Sequence, residues 1–318
     1  MRDPSLRWTA FAIPMRTRFR GISVREGMVA RGPQGWTEWS PFWDYDATES
    51  AAWLRAALEA AHEPWPAALR DRVPVNCTVP AVGPDAARDE VATSGGCRTA
   101  KVKVAERGHA LADDVARVEA VADALGPGGR VRVDANGGWS VDEAVTAIAA
   151  LDRAGGGLEY VEQPCRTVPE LATVRRRVDV PIAADESIRR TEDPLRVKTL
   201  QAADVAVLKV QPLGGVRACL RIAEQIDLPV VVSSALETPI GMAAGLALAA
   251  ALPELPYACG LNTLGLLHGS IGGDLPVTDG TMRVGRRAVD ERGLATHTDD
   301  VLQARWDARL GAVEQVGA

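Results

Sequence analysis

Asp134, Glu162, Asp185 and Lys209 follow one another at steps of 28, 23 and 24 residues. Each ends a short apolar run: RVRVD, LEYVE, PIAAD and VAVLK. A step of that size is one strand plus one helix, so the same place in successive units carries Asp, Glu, Asp and Lys. In a doubly wound sheet such strand ends spread along a line. In an α/β barrel they converge at the catalytic face, and convergence makes the pattern chemically sensible. Three carboxylates drawn to one point repel, raising their pKa values or requiring a cation. Oxygen ligands with no His or Cys beside them suit Mg²⁺, or Mn²⁺ in its place. The bland alternative is that each acid pairs with its own neighbouring Lys or Arg.

Lysines flank this cluster. Lys101 and Lys103 lie two apart and share a strand face. They come from the second strand and Lys209 from the sixth, roughly opposite across an eight-strand ring. Two ammonium groups so close depress one another's protonation, which moves one toward the range of a general base. A metal with a lysine on either side suits proton abstraction next to a carboxylate, through an enediolate. One lysine takes the proton; the other returns it, acts as general acid or stabilises charge. Arg132 alternates with Asp134 and so points inward, a candidate for anion contact or ligand orientation.

The elements that must hold these residues are legible. Residues 1–73 read as an α+β unit, with strand-like Trp8 to Pro14, Gly21 to Arg31 and Trp36 to Ser40, and a helix from Ala47 to Ala61. Arg16, Arg18 and Arg20 fall in the expected loop between the first two strands, where they are either a solvated turn or a flap over an anionic substrate. Residues 74–274 alternate eight short apolar strands with seven helices. The eighth strand is expected at Pro256 to Gly260, and a helix after the fifth strand at Asp193 to Gln201. Ser140 with Glu143 makes a capping box ahead of the helix after Asp134. Residues 275–318, with a strand at Thr281 to Val284 and a helix from about Thr298, are expected to pack back on the N-terminal unit. The fold class is therefore α/β, a modified TIM barrel of seven βα units and a last strand with an α+β capping domain.

Composition narrows the function classes. The chain has 318 residues, 47% hydrophobic and 25% charged, with net charge −6. Without a long basic run, nucleic acid is not expected as a partner. The longest apolar run, Gly241 to Leu252, is Ala- and Gly-rich and reads as a buried helix, not a membrane span. The start, MRDPSLRWTA, lacks the apolar core of a signal peptide, so a cytoplasmic location is expected. Five cysteines without CxxC spacing read as reduced core thiols, and four scattered histidines argue against a zinc site. The expected partner is a small carboxylate substrate. A monomer is compatible with the sequence, which sets no oligomeric state.

KVKVAE, DANGGW, VEQP, ADES and LKVQPLGG, in this order and spacing, resemble the muconate-lactonizing subgroup of the enolase superfamily over nearly the whole chain. The short capping unit (PMRTRFRGISVREG), SSALETPIGMAAGLALAAALPELPYACGLNT and the compact length are most similar to its actinobacterial o-succinylbenzoate synthases. The resemblance implies Mg-dependent syn dehydration of 2-succinyl-6-hydroxy-2,4-cyclohexadiene-1-carboxylate in menaquinone biosynthesis. It implies Asp134, Glu162 and Asp185 as metal ligands; Glu186, beside Asp185, is an alternative by position, although the subgroup uses the Asp. It implies Lys103 as acid/base catalyst, Lys209 as stabiliser of the enediolate, and Lys101 as support for a substrate carboxylate or for Lys103. Asn136, Ser233, Ser234 and the segment from Gly260 and Leu261 to Thr263 would line the substrate pocket, and the loop at Arg18 would close over it. N-acylamino acid racemisation and cycloisomerisation use the same machinery and stay open. A dipeptide epimerase commonly carries an acidic pair after the eighth strand, where Cys259 to Thr263 has no acid. A barrel retained only for binding would not be expected to keep three carboxylates and three lysines.

Overall fold

The structure is a computed structural model that describes residues 5–190 and 193–317. Three antiparallel strands open the chain: β1 (Thr9–Phe19), β2 (Ile22–Gly32) and β3 (Gly35–Trp39). Helix α1 (Ala47–His62) packs against β3 and buries Trp53, Leu54 and Ala57. β1 is longer than expected, so Arg16 and Arg18 lie on a strand and not in a loop. The turn is confined to Arg20 and Gly21, both at positive φ. In the outer part of β1 the outward arginines alternate with half-buried or buried residues, which hid the strand behind its charge.

Eight parallel strands follow: β4 (Arg72–Val79), β5 (Thr99–Lys103), β6 (Arg130–Asp134), β7 (Leu158–Glu162), β8 (Ile182–Ala184), β9 (Val205–Leu208), β10 (Val230–Val232) and β11 (Cys259–Asn262). Their order around the sheet is β10-β9-β8-β7-β6-β5-β4-β11. A parallel bridge between Ser233 and Gly260 brings the two edges together into a nearly closed barrel. A Cβ on Gly260 would stand 2.6 Å from Ser233 Oγ, so glycine allows that close approach. Connections run through α2 (Pro84–Ala92), α3 (Leu111–Leu125), α4 (Val141–Gly155), α5 (Val168–Arg175), the short α6 (Glu186–Arg189) and α7 (Arg196–Thr199), α8 (Val216–Ile226) and α9 (Pro239–Ala251). Two short helices replace the single one expected after the fifth strand. β11 begins three residues later than expected, past Pro256, which has no N–H to give a ladder.

Local chemistry explains several boundaries. Ser140 Oγ accepts from Glu143 N, and Glu143 Oε2 accepts from Ser140 N at 2.8 Å, starting α4 directly behind Asp134. α9 is buried from Pro239 to Ala250 because it packs against α8, against β3 of the capping unit and against β4, β10 and β11 of the barrel. The tail divides its contacts. β12 (Thr281–Arg283) pairs antiparallel with β4 of the barrel, α10 (Glu291–Thr296) follows, and α11 (Asp300–Val316) packs on α1 and β1. Trp306 of α11 meets Trp39 edge-on, with centroids 5.4 Å apart.

Two glutamates of the N-terminal unit lie at the N-termini of barrel helices, where unpaired N–H groups favour negative charge. Glu59 of α1 accepts from Val216 N at 3.0 Å and Arg217 N at 3.3 Å, at the start of α8. Gly215 stands at φ +121, and a Cβ there would meet Glu59 Oε2. Glu38 of β3 accepts from Thr238 N at 3.1 Å and Gly241 N at 3.0 Å, at the start of α9.

Candidate active site

Parallel register aligns the polar strand ends. Lys103 stands beside Asp134, and Asp134 beside Glu162. Glu162 pairs with Ala183, which puts Asp185 just past the end of β8, and Lys209 follows Leu208 at the end of β9. The three acids are essentially buried, at 1%, 0% and 0% exposure. Lys101 Nζ donates to both Glu162 oxygens at 2.9 and 2.8 Å and stands 3.4 Å from Asp134 Oδ2. Lys103 Nζ donates to Asp134 Oδ2 at 2.5 Å and Asn136 Oδ1 at 2.7 Å. Lys209 Nζ donates to Asp185 Oδ2 at 2.7 Å, while Arg189 Nε donates to Oδ1 at 2.8 Å.

Among the described residues, no three carboxylate, imidazole or thiolate side chains lie close enough to chelate an ion as they stand. Each acid faces a lysine or arginine instead. The donor set still fits a hard divalent cation: three carboxylates, all oxygen, from three adjacent strands. An ammonium group, Lys101 Nζ, already stands between Asp134 and Glu162. Burial, with the charges of Asp134 and Asp185 adding to it, pushes Glu162 up to about 7 despite Lys101. Asp134 and Asp185 lie below the usual carboxylate range. Burial opposes their charge, and Lys103 with Lys101, or Arg189 with Lys209, outweighs it.

Lys101 is not the lysine whose charge is weakened. Burial works against the Lys101 charge, but Glu162 and Asp134 hold it above the usual lysine range. At Lys101 the neighbouring carboxylates thus outweigh any repulsion from a second ammonium group. Lys209 is shifted down, by burial first, with Asp185 pulling the other way.

These groups open into a partly enclosed cavity of about 40 Å³. Lys101, Lys103, Asp134, Asn136, Lys209, Ser233, Ser234 and Gly260 all line it, with Thr263 beside them. Asn136 sits at φ +45 and its N–H donates to Asp134 Oδ1 at 3.0 Å. Ser234 Oγ and Thr263 Oγ1 are 2.7 Å apart. Glu186 lies outside the lining; its Oε1 accepts from Asn136 Nδ2 at 3.2 Å and from Arg189.

Three expected pocket residues are elsewhere. Leu261 is 1% exposed and faces Gly245 of α9, because alternation along β11 turns it away from Gly260. Arg132 does point inward, but a layer below the acids. It is ion-paired with Glu159 and donates to Ala258 O at 2.7 Å and Tyr160 OH at 3.2 Å, so the anion it meets is part of the protein. Arg18 is exposed on β1 and absent from the lining. Arg20 takes that place: the left-handed turn swings its guanidinium over Phe42, 4.0 Å from the ring centroid, and into the cavity lining.

The chain matches the enolase C-terminal domain-like family over residues 85–300 and the enolase N-terminal domain-like family over residues 10–61. It is 66% identical over 305 residues to the o-succinylbenzoate synthase of Thermobifida fusca, covering 95% of this chain and 94% of that protein. It belongs to the o-succinylbenzoate synthase family of the enolase superfamily. The o-succinylbenzoate synthase of Mycolicibacterium smegmatis is 57% identical, with 93% and 91% covered. Among solved structures, the L-Ala-D/L-Glu epimerase of Bacillus subtilis superposes with a TM-score of 0.76 at 23% identity, covering 91% of this chain and 98% of that one. A muconate lactonizing enzyme of Pseudomonas fluorescens gives 0.76 at 20% identity, covering 93% and 98%. At such identities these two show the shared fold alone.

Within this family member, sequence reasoning missed Arg189, Thr78 and the apolar ceiling of Phe19, Phe42 and Leu236. Arg189 stands four residues after Asp185, one helical turn, which was a usable signal. Thr78 alternates with Cys77 and Val79 on β4 and pairs with Lys101; its Oγ1 has no hydrogen-bond partner among the described residues. The ceiling comes from the capping unit and the β10–α9 loop, and no short motif announces it.

Proposed function

We propose that this chain dehydrates 2-succinyl-6-hydroxy-2,4-cyclohexadiene-1-carboxylate to o-succinylbenzoate, as a cytoplasmic step of menaquinone biosynthesis. The observation that carries this reading is that Lys103 of β5 and Lys209 at the end of β9 open onto one partly enclosed cavity beside the buried acids. Membership of the synthase family selects dehydration among the reactions such a site can run.

Asp134, Glu162 and Asp185 would hold Mg²⁺ or Mn²⁺, which when bound supplies positive charge for the carboxylate beside the scissile C–H bond. Lys103, as a neutral amine, takes the proton α to that carboxylate, leaving an enediolate. Its ammonium then gives a proton to the departing hydroxyl on the same face, so water leaves and the ring becomes aromatic. Asn136, bonded to Lys103 Nζ, fixes the direction of that amine. Lys209 faces the same cavity and holds positive charge near the enediolate. Thr78, Ser234 and Arg20 offer polar groups to the substrate's own. Lys103→Ala should lower kcat by ~10²–10⁴-fold with folding intact; near-normal turnover would remove Lys103 from the acid/base role.

A second reading, racemisation of an N-acylamino acid, is favoured by the same pair of lysines reaching one cavity from different strands. It predicts deuterium uptake at the α-carbon of an N-succinylamino acid in D₂O, checked by proton NMR. No uptake excludes it.

A further inference from the structure

The loop after β10 contains Leu236, a bulky residue held at φ +62. L-residues with large side chains rarely adopt that backbone, and where one does the surroundings must enforce it. Leu236 and Ala235 both line the cavity, and both pack into the apolar cluster of the capping unit with Phe19 and Phe42. Within the loop, Ser234 Oγ accepts from Leu236 N at 2.9 Å, and Glu237 Oε2 accepts from Ala235 N at 2.7 Å.

The two carbonyls of this turn are held from outside the barrel. Arg25 of β2 is 1% exposed; its Nε donates to Leu236 O at 2.8 Å and its Nη2 to Ala235 O at 3.2 Å. The rest of its fork is fixed within the capping unit, on Ser40 O, Ser40 Oγ and Glu26 O, and its guanidinium carbon lies 4.4 Å from the Phe42 centroid. A planar fork locked on one domain therefore grips the strained turn of the other.

We propose that Arg25 is a positioning residue that sets substrate selectivity: it clamps the Ala235–Leu236 turn in its left-handed form and so fixes the cavity ceiling. The clamp exists only while the capping unit is docked, so docking and closure of the ceiling are one event. Released, the turn relaxes toward right-handed backbone and withdraws Leu236, which loosens the cavity without touching Lys103 or the acids. The selectivity half of the proposal rests on the dehydratase reading; the clamp itself does not.

The experiment combines Arg25→Lys with Leu236→Gly, singly and together. Amide hydrogen exchange needs no activity. Arg25→Lys should speed exchange at Leu236 and Glu237 at least tenfold while the amides of β5 and β6 stay protected; unchanged exchange at the turn overturns the clamp. Glycine adopts positive φ without strain, so in the Leu236→Gly background the added effect of Arg25→Lys on exchange should shrink at least threefold. An equal effect in both backgrounds means that Arg25 is a general structural support, and overturns the proposal. If Arg25→Lys alone does not fold, the double variant should, and its failure to fold is equally contrary. In activity assays Arg25→Lys should raise KM for the cyclohexadiene carboxylate at least tenfold while kcat changes less than threefold. A kcat loss at constant KM overturns the selectivity role. Wild-type protein that forms no product defeats the dehydratase reading, and with it the selectivity half, while the exchange data still decide the clamp.

Discussion

At the residue scale, the site is a set of buried charges that balance one another through particular pairs. Lys101 on Glu162, Lys103 on Asp134, and Lys209 with Arg189 on Asp185 leave no acid without a cation beside it. Chelation should therefore abolish activity without unfolding the protein, since these internal pairs persist. Treatment with EDTA followed by Mg²⁺ or Mn²⁺ tests this: activity should vanish and return while the far-ultraviolet circular dichroism stays constant. Full activity after chelation would contradict a metal at Asp134, Glu162 and Asp185. Arg132 makes a different case. Arg132→Met leaves Glu159 buried beside only the exposed Arg130, which should destabilise the protein by about 3 kcal/mol. Urea unfolding should show this loss with KM unchanged, whereas a raised KM at constant stability would restore Arg132 to the substrate. The placement of Asp134, Glu162, Asp185 and the lysines was legible because strand period and unit length both count in whole residues. Depth in the barrel was not: alternation says that Arg132 points inward, but not that Tyr160 and Ala258 enclose it below the cavity.

At the scale of elements, the barrel helices are tied to the capping unit through their N-termini. Glu59 on α8 and Glu38 on α9 each satisfy two N–H groups that helix geometry leaves unpaired. Glu59→Ala should lower stability by about 1–2 kcal/mol, in line with loss of a helix cap. Thermal unfolding followed by circular dichroism checks this, and an unchanged midpoint would mean that water replaces the carboxylate without cost. The helices themselves were readable from apolar spacing and caps, as Ser140 with Glu143 ahead of α4 shows. The reach of β1 to Phe19 was not, because its outward arginines look like a turn until β2 is seen beside them. Nor was the Arg20–Gly21 turn, whose geometry selects Arg20 over Arg18 for the cavity.

At the scale of the molecule, closing the cavity means docking one domain on another, and the interface carries buried charge. Burial pushes the Glu38 carboxyl from 4.5 up to about 7, against the pull of Arg25 and the donors from Ser40 and Thr238. The folded state thus holds this proton more tightly than the unfolded chain. Its ionisation costs the fold progressively as pH rises from about 4.5 to about 7, by on the order of 3 kcal/mol. Glu38→Gln should remove that slope, so the stability difference between variant and wild type should shift in the variant's favour across this window. A pH-independent difference would place the Glu38 carboxyl near its ordinary value. The division into a capping unit, a barrel and a returning tail followed from where apolar periodicity changes. That β12 would pair with β4 rather than with the capping sheet did not, since a three-residue strand carries no partner preference in its sequence. The central claim is that this assembly is a metal-dependent dehydratase working through Lys103. The direct test incubates purified protein and Mg²⁺ with 2-succinyl-6-hydroxy-2,4-cyclohexadiene-1-carboxylate and follows the change in ultraviolet absorbance as the ring becomes aromatic. The account predicts o-succinylbenzoate from the wild type and essentially none from folded Lys103→Ala; a folded, Mg²⁺-loaded wild type that forms no o-succinylbenzoate would contradict it.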